Sequence, residues 1–191
     1  MKRYKVKIES KSAYMQHRMD DKKLEDWEKN HSQIITRPEI SEEDAKRAEF
    51  HCYRDEKTKK CYIPSEHIKG ALINAGSFIK SKVGSSNKNM KSIVAGQFNI
   101  TEENLYLPDY DMIDKRSAVN KNIKARVMCV RPKWSKFNIE FTLEIDNDTL
   151  TMEMIKNLFY YAGNNIGIGS FRPTANGNFG RFNLVEIKNE I

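Results

Sequence analysis

Five of the nine glycines of this chain fall between Gly163 and Gly180, in a stretch that separates a helical pattern from a final strand pattern. Glycine admits positive φ and lets a second backbone come close, so glycines concentrated at such a junction shape a contact surface. The helical pattern before it starts at Asp148 or Thr149 as N-cap, carries Leu150, Met154, Ile155, Leu158, Phe159 and Ala162 on its apolar side, and ends at Gly163 as a C′ glycine. The strand after it spans Phe179 to Ile187.

The other elements follow from periodicity. Lys2 to Glu9 sets Tyr4, Val6 and Ile8 against charged neighbours, and Phe137 to Ile145 sets Phe137, Ile139, Phe141, Leu143 and Ile145 against polar ones. Both are period-2 strands with one buried face. Residues 10–60 mix charges of both signs, with Pro38 interrupting and short helices over Leu24–Lys29 and Ser41–Phe50, the second capped by Ser41 with Asp44 three residues on. Pro64 ends an extended piece, Ser65 caps, and Ile68, Leu72, Ala75 and Ile79 mark a buried helix face. Gly70 and Gly76 inside that helix each cost about 1 kcal/mol relative to alanine, which close packing or a closely approaching ligand offsets. Val83–Lys91 reads as a loop, Ser92–Ile100 and Leu105–Asp109 as short strands, and Ile123–Val130 as a strand joined to Phe137–Ile145 through Arg131-Pro-Lys-Trp134.

This order predicts a single α+β domain over residues 1–191: a ferredoxin-like, RNA-recognition-motif-type sandwich with an antiparallel sheet and two helices on one face. It carries two large insertions, at about 10–60 and about 80–123. No apolar run reaches the roughly 18 residues of a membrane span. The three cysteines, Cys52, Cys61 and Cys129, form an odd set without close pairing, and no signal peptide is evident, so a reduced, cytoplasmic protein is expected. Cys52, Cys61, His51 and His67 lack the short Cys-Cys spacing of a zinc site, so neither a metal nor another cofactor is expected.

The formal charge is +7, and its distribution says more than its sum. Residues 67–136 hold 13 basic and 5 acidic side chains, while residues 137–191 hold 4 and 7. Lys115 to Lys136 contains eight Lys/Arg and no acid. Acid-free basic runs of this length are an electrostatic footprint for phosphates.

Three segments together resemble one family. Tyr62-Ile-Pro-Ser-Glu-His-Ile-Lys-Gly-Ala-Leu is similar to the helix-start motif of the RAMP (repeat-associated mysterious protein) superfamily. The Phe137–Ile145 strand leading into the second helix, and Gly167-Ile-Gly-Ser-Phe-Arg followed by Gly177-Asn-Phe-Gly-Arg-Phe, resemble that family's later strand and glycine-rich loop, in register. The family includes backbone and endonuclease subunits of CRISPR effector complexes. The resemblance implies guide-RNA binding along a positive face, antiviral defence, a thumb-like insertion over about residues 80–123, and homo-oligomers or assemblies with other RAMP subunits. A stand-alone phage or plasmid member would share the fold alone. Glu66 and His67 replace small residues of the family's motif, and Asn74 stands near a position where it often has arginine.

The nucleic-acid-binding candidates are Gly167, Gly169, Gly180, Arg172 and Arg181, where backbone N–H groups and guanidinium forks suit phosphate oxygens. Lys69, Lys115, Arg116, Lys121, Lys124, Arg126, Arg131 and Lys133 add charge, and Trp134 offers a stacking plane. For catalysis, His17 could titrate near neutrality, and Asp20 or Asp21 lies in the loop where cleaving relatives of the resembled family place an aspartate. The expected partner is single-stranded RNA, or single-stranded DNA, with no membrane. An RNA endonuclease and a scaffold or decoy docking onto a RAMP-containing complex are the alternatives.

Overall fold

The protein is described by a computed structural model covering residues 1–18, 40–83, 86–120, 125–146 and 150–190. The main sheet has four antiparallel strands: β1 (Lys2–Ser10), β6 (Phe98–Ile100), β10 (Asn138–Ile145) and β11 (Phe182–Glu190), in spatial order β11-β1-β10-β6. Register places Tyr4, Val6 and Ile8 opposite Leu143, Phe141 and Ile139, so the apolar sets of β1 and β10 share one buried face. The other face is solvated and mixed in sign: Lys7 Nζ lies 2.9 Å from Glu140 and Arg3 Nε 3.1 Å from Glu144. A single-residue slip would exchange these two faces, which is why the period-2 pattern sets the pairing so strongly.

Two helices cover the apolar face. α2 (Ser65–Ala75) buries Ile68, Ala71, Leu72 and Ala75, and α4 (Met152–Tyr161) buries Ile155, Leu158 and Phe159, with the Phe159 and Phe141 rings 6.4 Å apart. Their starts differ from expectation. β3 (Cys61–Pro64) runs directly into α2, so Pro64 occupies the cap position without a side-chain bond, and the Ser65 N–H donates to Glu103 O at 2.9 Å. α4 is capped by Thr151, whose hydroxyl accepts from Met154 N at 3.2 Å; Asp148 and Thr149 lie outside the described residues. Nor is Gly163 its C′ glycine. A π-helical turn, Ala162–Ile166, continues α4 to Gly167 at φ 70°, because the turn packs so closely that a Cβ on Gly163 would sit 1.9 Å from Phe182 O.

A second sheet has the order β2-β9-β8, from β2 (Tyr14–Met15), β8 (Met112–Asn120) and β9 (Ala125–Trp134). β8 was not expected, and Arg131-Pro-Lys-Trp134 lies within β9, opposite Met112 to Asp114, rather than linking two strands. α1 (Glu42–Phe50) packs on this ribbon, with the expected cap at Ser41 and a reciprocal bond from Ser41 N to Asp44 at 2.9 Å. The Leu24–Lys29 helix lies outside the described residues.

The region 80–120 also departs from expectation. The Val83–Lys91 loop is largely a hairpin, β4 (Lys80–Val83) with β5 (Ser86–Asn89). Ser92–Gln97 belongs to α3 (Lys91–Gln97), because Met90 N bonds to Gly76 O at 2.9 Å and sets the first turn against the end of α2. β7 (Asn104–Leu107) pairs with β3. The stretch read as a thumb-like insertion thus includes β6, a strand of the main sheet.

Gly70, inside α2, and Gly76, just past its end, part ways. A Cβ on Gly76 would lie 2.8 Å from Lys91 N, whereas one on Gly70 meets nothing within 4 Å. We therefore predict that Gly70→Ala stabilises the protein by about 0.5–1 kcal/mol through helix propensity, and that Gly76→Ala destabilises it by about 1–3 kcal/mol through overpacking against backbone. Urea denaturation of both variants checks the contrast.

Candidate nucleic-acid interface

Alternation along the β8–β9 ribbon sorts the basic residues between two faces. Asp114, Arg116, Arg131 and Lys133 share one, since Asp114 is opposite Arg131 and Met112 opposite Lys133. Lys115 and Trp134 fall on the other. The glycine-rich loop lays two phenyl rings against the first face. Arg116 sits 5.1 Å from the Phe171 ring centre and 4.8 Å from that of Phe179, Arg131 5.0 Å from Phe171, and Lys133 Nζ 5.5 Å from Phe179. The structure thus gathers three expected cations around two aromatics that the sequence reading did not single out. Their only signal was their position, one on each side of Gly177.

The loop is held under strain. Phe171 adopts φ 52°, an unfavourable left-handed conformation for a bulky side chain. Its carbonyl accepts from Phe179 N at 3.1 Å, and Gly177 N donates to Arg172 O at 3.0 Å, which fixes the turn.

Of the three glycines expected to meet phosphate, Gly167 and Gly180 turn their amides to backbone carbonyls. Gly167 N donates to Ala162 O at 2.8 Å and Gly180 N to Ala13 O at 2.7 Å, so both are used within the protein. A Cβ on Gly169 would lie 2.3 Å from Met15 O, which marks a packing contact with β2. Arg181 Nη1 donates to Asn164 O at 2.7 Å, closing the loop on the π-helical turn. Arg172 is exposed and bonds within the loop, to Thr174 Oγ1 and Gly169 O, each at 3.0 Å.

Two further candidates turn inward. Lys115 Nζ is 2.6 Å from Asp44 Oδ2, and the two side chains are 14% and 6% exposed. Burial pushes the Asp44 carboxyl up, but hydrogen bonds from Lys115 and Ser41 outweigh it and leave it below the ordinary value. Trp134 is 1% exposed, contacts Tyr14 and Tyr110, and donates its indole N–H to Pro108 O at 2.8 Å. It is a core residue, so the expected stacking plane has no open face. Lys69 is half-buried on α2, and Arg126 lies in β9 opposite Val119. Asp20, Asp21, Lys121 and Lys124 lie outside the described residues.

Beside the cation–aromatic cluster is a cavity of about 580 Å³ whose lining includes Tyr14, His17, Glu66, His67, Gly70, Arg131 and Arg172. Among the described residues, the buried side-chain polar atoms without a hydrogen-bond partner are Tyr14 Oη, His17 Nδ1, His67 Nδ1, and Nε and Nη1 of Arg131. All belong to residues that line this cavity. Arg131 is 6% exposed, and the carboxylate of its cross-strand neighbour Asp114 is engaged by Arg116. A buried guanidinium without a full set of acceptors favours a ligand that supplies them.

The His17 ring stacks on His51 at 4.2 Å, and His51 Nδ1 donates to Arg18 O at 3.2 Å. Burial, His51 and the Arg131 charge hold the His17 imidazole down to about 3. Burial lowers His51 and His67 as well, with Glu66 opposing the shift of His67 and Arg172 adding to it. Cys52 and Cys61, nine residues apart in the chain, are both buried with their sulfurs 3.2 Å from each other. Among the described residues no group of three or more His, Cys, Asp or Glu could hold a metal ion, and no helix is long and apolar enough to cross a membrane.

No sequence-family profile matches the chain, and no curated protein matches it. Among solved structures it is similar to a chain of a "Type IV-B CRISPR Complex", at 12% identity and a TM-score of 0.43, covering 98% of this chain and 90% of that one. At that score the likeness carries no argument about this chain.

The lowered histidines imply a pH dependence. An unfolded imidazole binds a proton near 6.5, whereas folded His17 does so near 3. Between those values the unfolded state holds more protons, so stability is complete above about pH 6.5 and falls on acidification, by up to about 1.4 kcal/mol per pH unit from His17. Urea midpoints from pH 7.5 to pH 4.5 should decline, and His17→Gln should flatten the decline.

Proposed function

We propose that this protein is a RAMP-like module that binds single-stranded nucleic acid, RNA foremost, across the face where the β8–β9 ribbon meets the glycine-rich loop, and that copies associate along the strand. The observation that carries the reading is the cluster of Arg116, Arg131 and Lys133 around Phe171 and Phe179, beside a cavity with an incompletely paired guanidinium. Cations interleaved with aromatics suit a strand that offers both phosphates and base faces.

A ferredoxin-like frame is supported by the threading β1-α2-β6-β10-α4-β11 and the spatial order β11-β1-β10-β6, in which each helix joins two strands with one strand between them. The solvated face of that sheet is laced with opposite charges, such as Lys7 with Glu140 and Lys188 with Glu186, and suits a phosphate chain poorly. Binding is therefore assigned to the ribbon and loop, not to the open sheet face.

Filter binding of single-stranded RNA across a salt series tests this. The logarithm of affinity should fall linearly with the logarithm of salt concentration, and Lys133→Gln combined with Arg172→Gln should weaken binding and reduce the slope by about 1.4, at roughly 0.7 per lost phosphate contact. Affinity that is absent at low salt, or indifferent to salt, rules the interface out.

A further inference from the structure

We propose that the cavity between α2, the glycine-rich loop and β9 binds a phosphate monoester, carried at the end of a nucleic-acid strand or on a free nucleotide. Arg131 supplies a permanent charge with two N–H-bearing atoms lacking acceptors, Tyr14 an unpaired hydroxyl, and His17 and His67 one unpaired ring nitrogen each. Tyr14 is fully buried and Arg131 is 6% exposed, so the polar floor is built into the fold. Donors of this kind suit the three terminal oxygens of a monoester.

Depth selects the monoester over the diester. Within a strand, a phosphodiester is flanked by sugars on both sides and slides past a recessed guanidinium, whereas a terminal phosphate projects and can descend to it. The volume of about 580 Å³ lies within the range of roughly 300–1,000 Å³ typical of small-ligand sites. Gly70 contributes room, since a Cβ there would meet nothing within 4 Å. The exposed Glu66 carboxylate on the wall opposes an anion, and Arg172 on the loop side counters it. The strand-end source rests on the nucleic-acid reading above; the phosphate site itself does not.

The test uses one short RNA sequence in three forms, with a 5′-phosphate, a 3′-phosphate, or hydroxyls at both ends, measured by fluorescence anisotropy with the full chain. AMP and inorganic phosphate serve as competitors and as ligands in thermal-shift assays. One phosphorylated RNA should bind about tenfold or more tightly than the hydroxyl form, a difference corresponding to about 1.4 kcal/mol, and AMP should erase that preference. Because removing Arg131 from a buried strand endangers the fold, Gly70→Leu carries the test: it fills the cavity from the helix side, so the preference should vanish while affinity for the hydroxyl RNA persists. Equal affinity for all three RNAs, with no thermal shift from AMP or phosphate, overturns the proposal and leaves nucleic-acid binding standing. If no RNA binds but AMP raises the Tm of the wild type and not of Gly70→Leu, the nucleic-acid reading fails and the phosphate site holds, with free nucleotide as its source.

Discussion

The structure turns on the joint between β1 and β2, where the chain leaves one sheet and enters the other. Lys11 N and Ser12 N both donate to Arg181 O, Gly180 N donates to Ala13 O, and Ser170 N donates to Met15 O. The N-terminal segment is thus clamped by the glycine-rich loop through backbone bonds from residues far apart in sequence. Gly180 makes the clamp possible: at φ 68° it is already in the left-handed region, and a Cβ there would fall 1.8 Å from Ile168 O. No side chain can occupy that space without opening the joint.

Chemistry follows from this closure. With the loop fastened to β2, Phe171 and Phe179 rest beside the cations of the β8–β9 ribbon, and Arg131 is covered without acceptors for all its hydrogens. Covering a charge in this way costs stability, as does holding Phe171 at φ 52°. Both costs fall at one place, together with the stacked His17–His51 pair and the open wall at Gly70. Strain and unmet hydrogen-bonding capacity that converge on a single cavity are what a binding site requires and what a core avoids.

Legibility in the sequence varied with the range of the interactions. Tyr4, Val6, Ile8 and the Ile139–Ile145 set were readable because alternation is a local property that one buried face enforces. Ser41 was readable as a cap because its partner Asp44 is three residues away. Ser65 was misread because its N–H bonds to Glu103, and Gly163 because the contact that requires glycine there comes from Phe182. The helix α3 was hidden for the same reason, since Met90 is anchored by Gly76 across the intervening hairpin.

By itself the sequence determined the strand faces, the two long helices, the concentration of cations in the middle third, and the need for close approach in the glycine-rich loop. Each of these is encoded in residue type and short spacing. Only the tertiary structure decided which cations meet the loop and which turn inward: Lys115 and Arg116 are neighbours in the chain, yet one is paired with Asp44 beneath α1 and the other lies over Phe171 and Phe179. A strand sends adjacent side chains to opposite faces, and what covers each face is set by distant segments whose arrival no local pattern records.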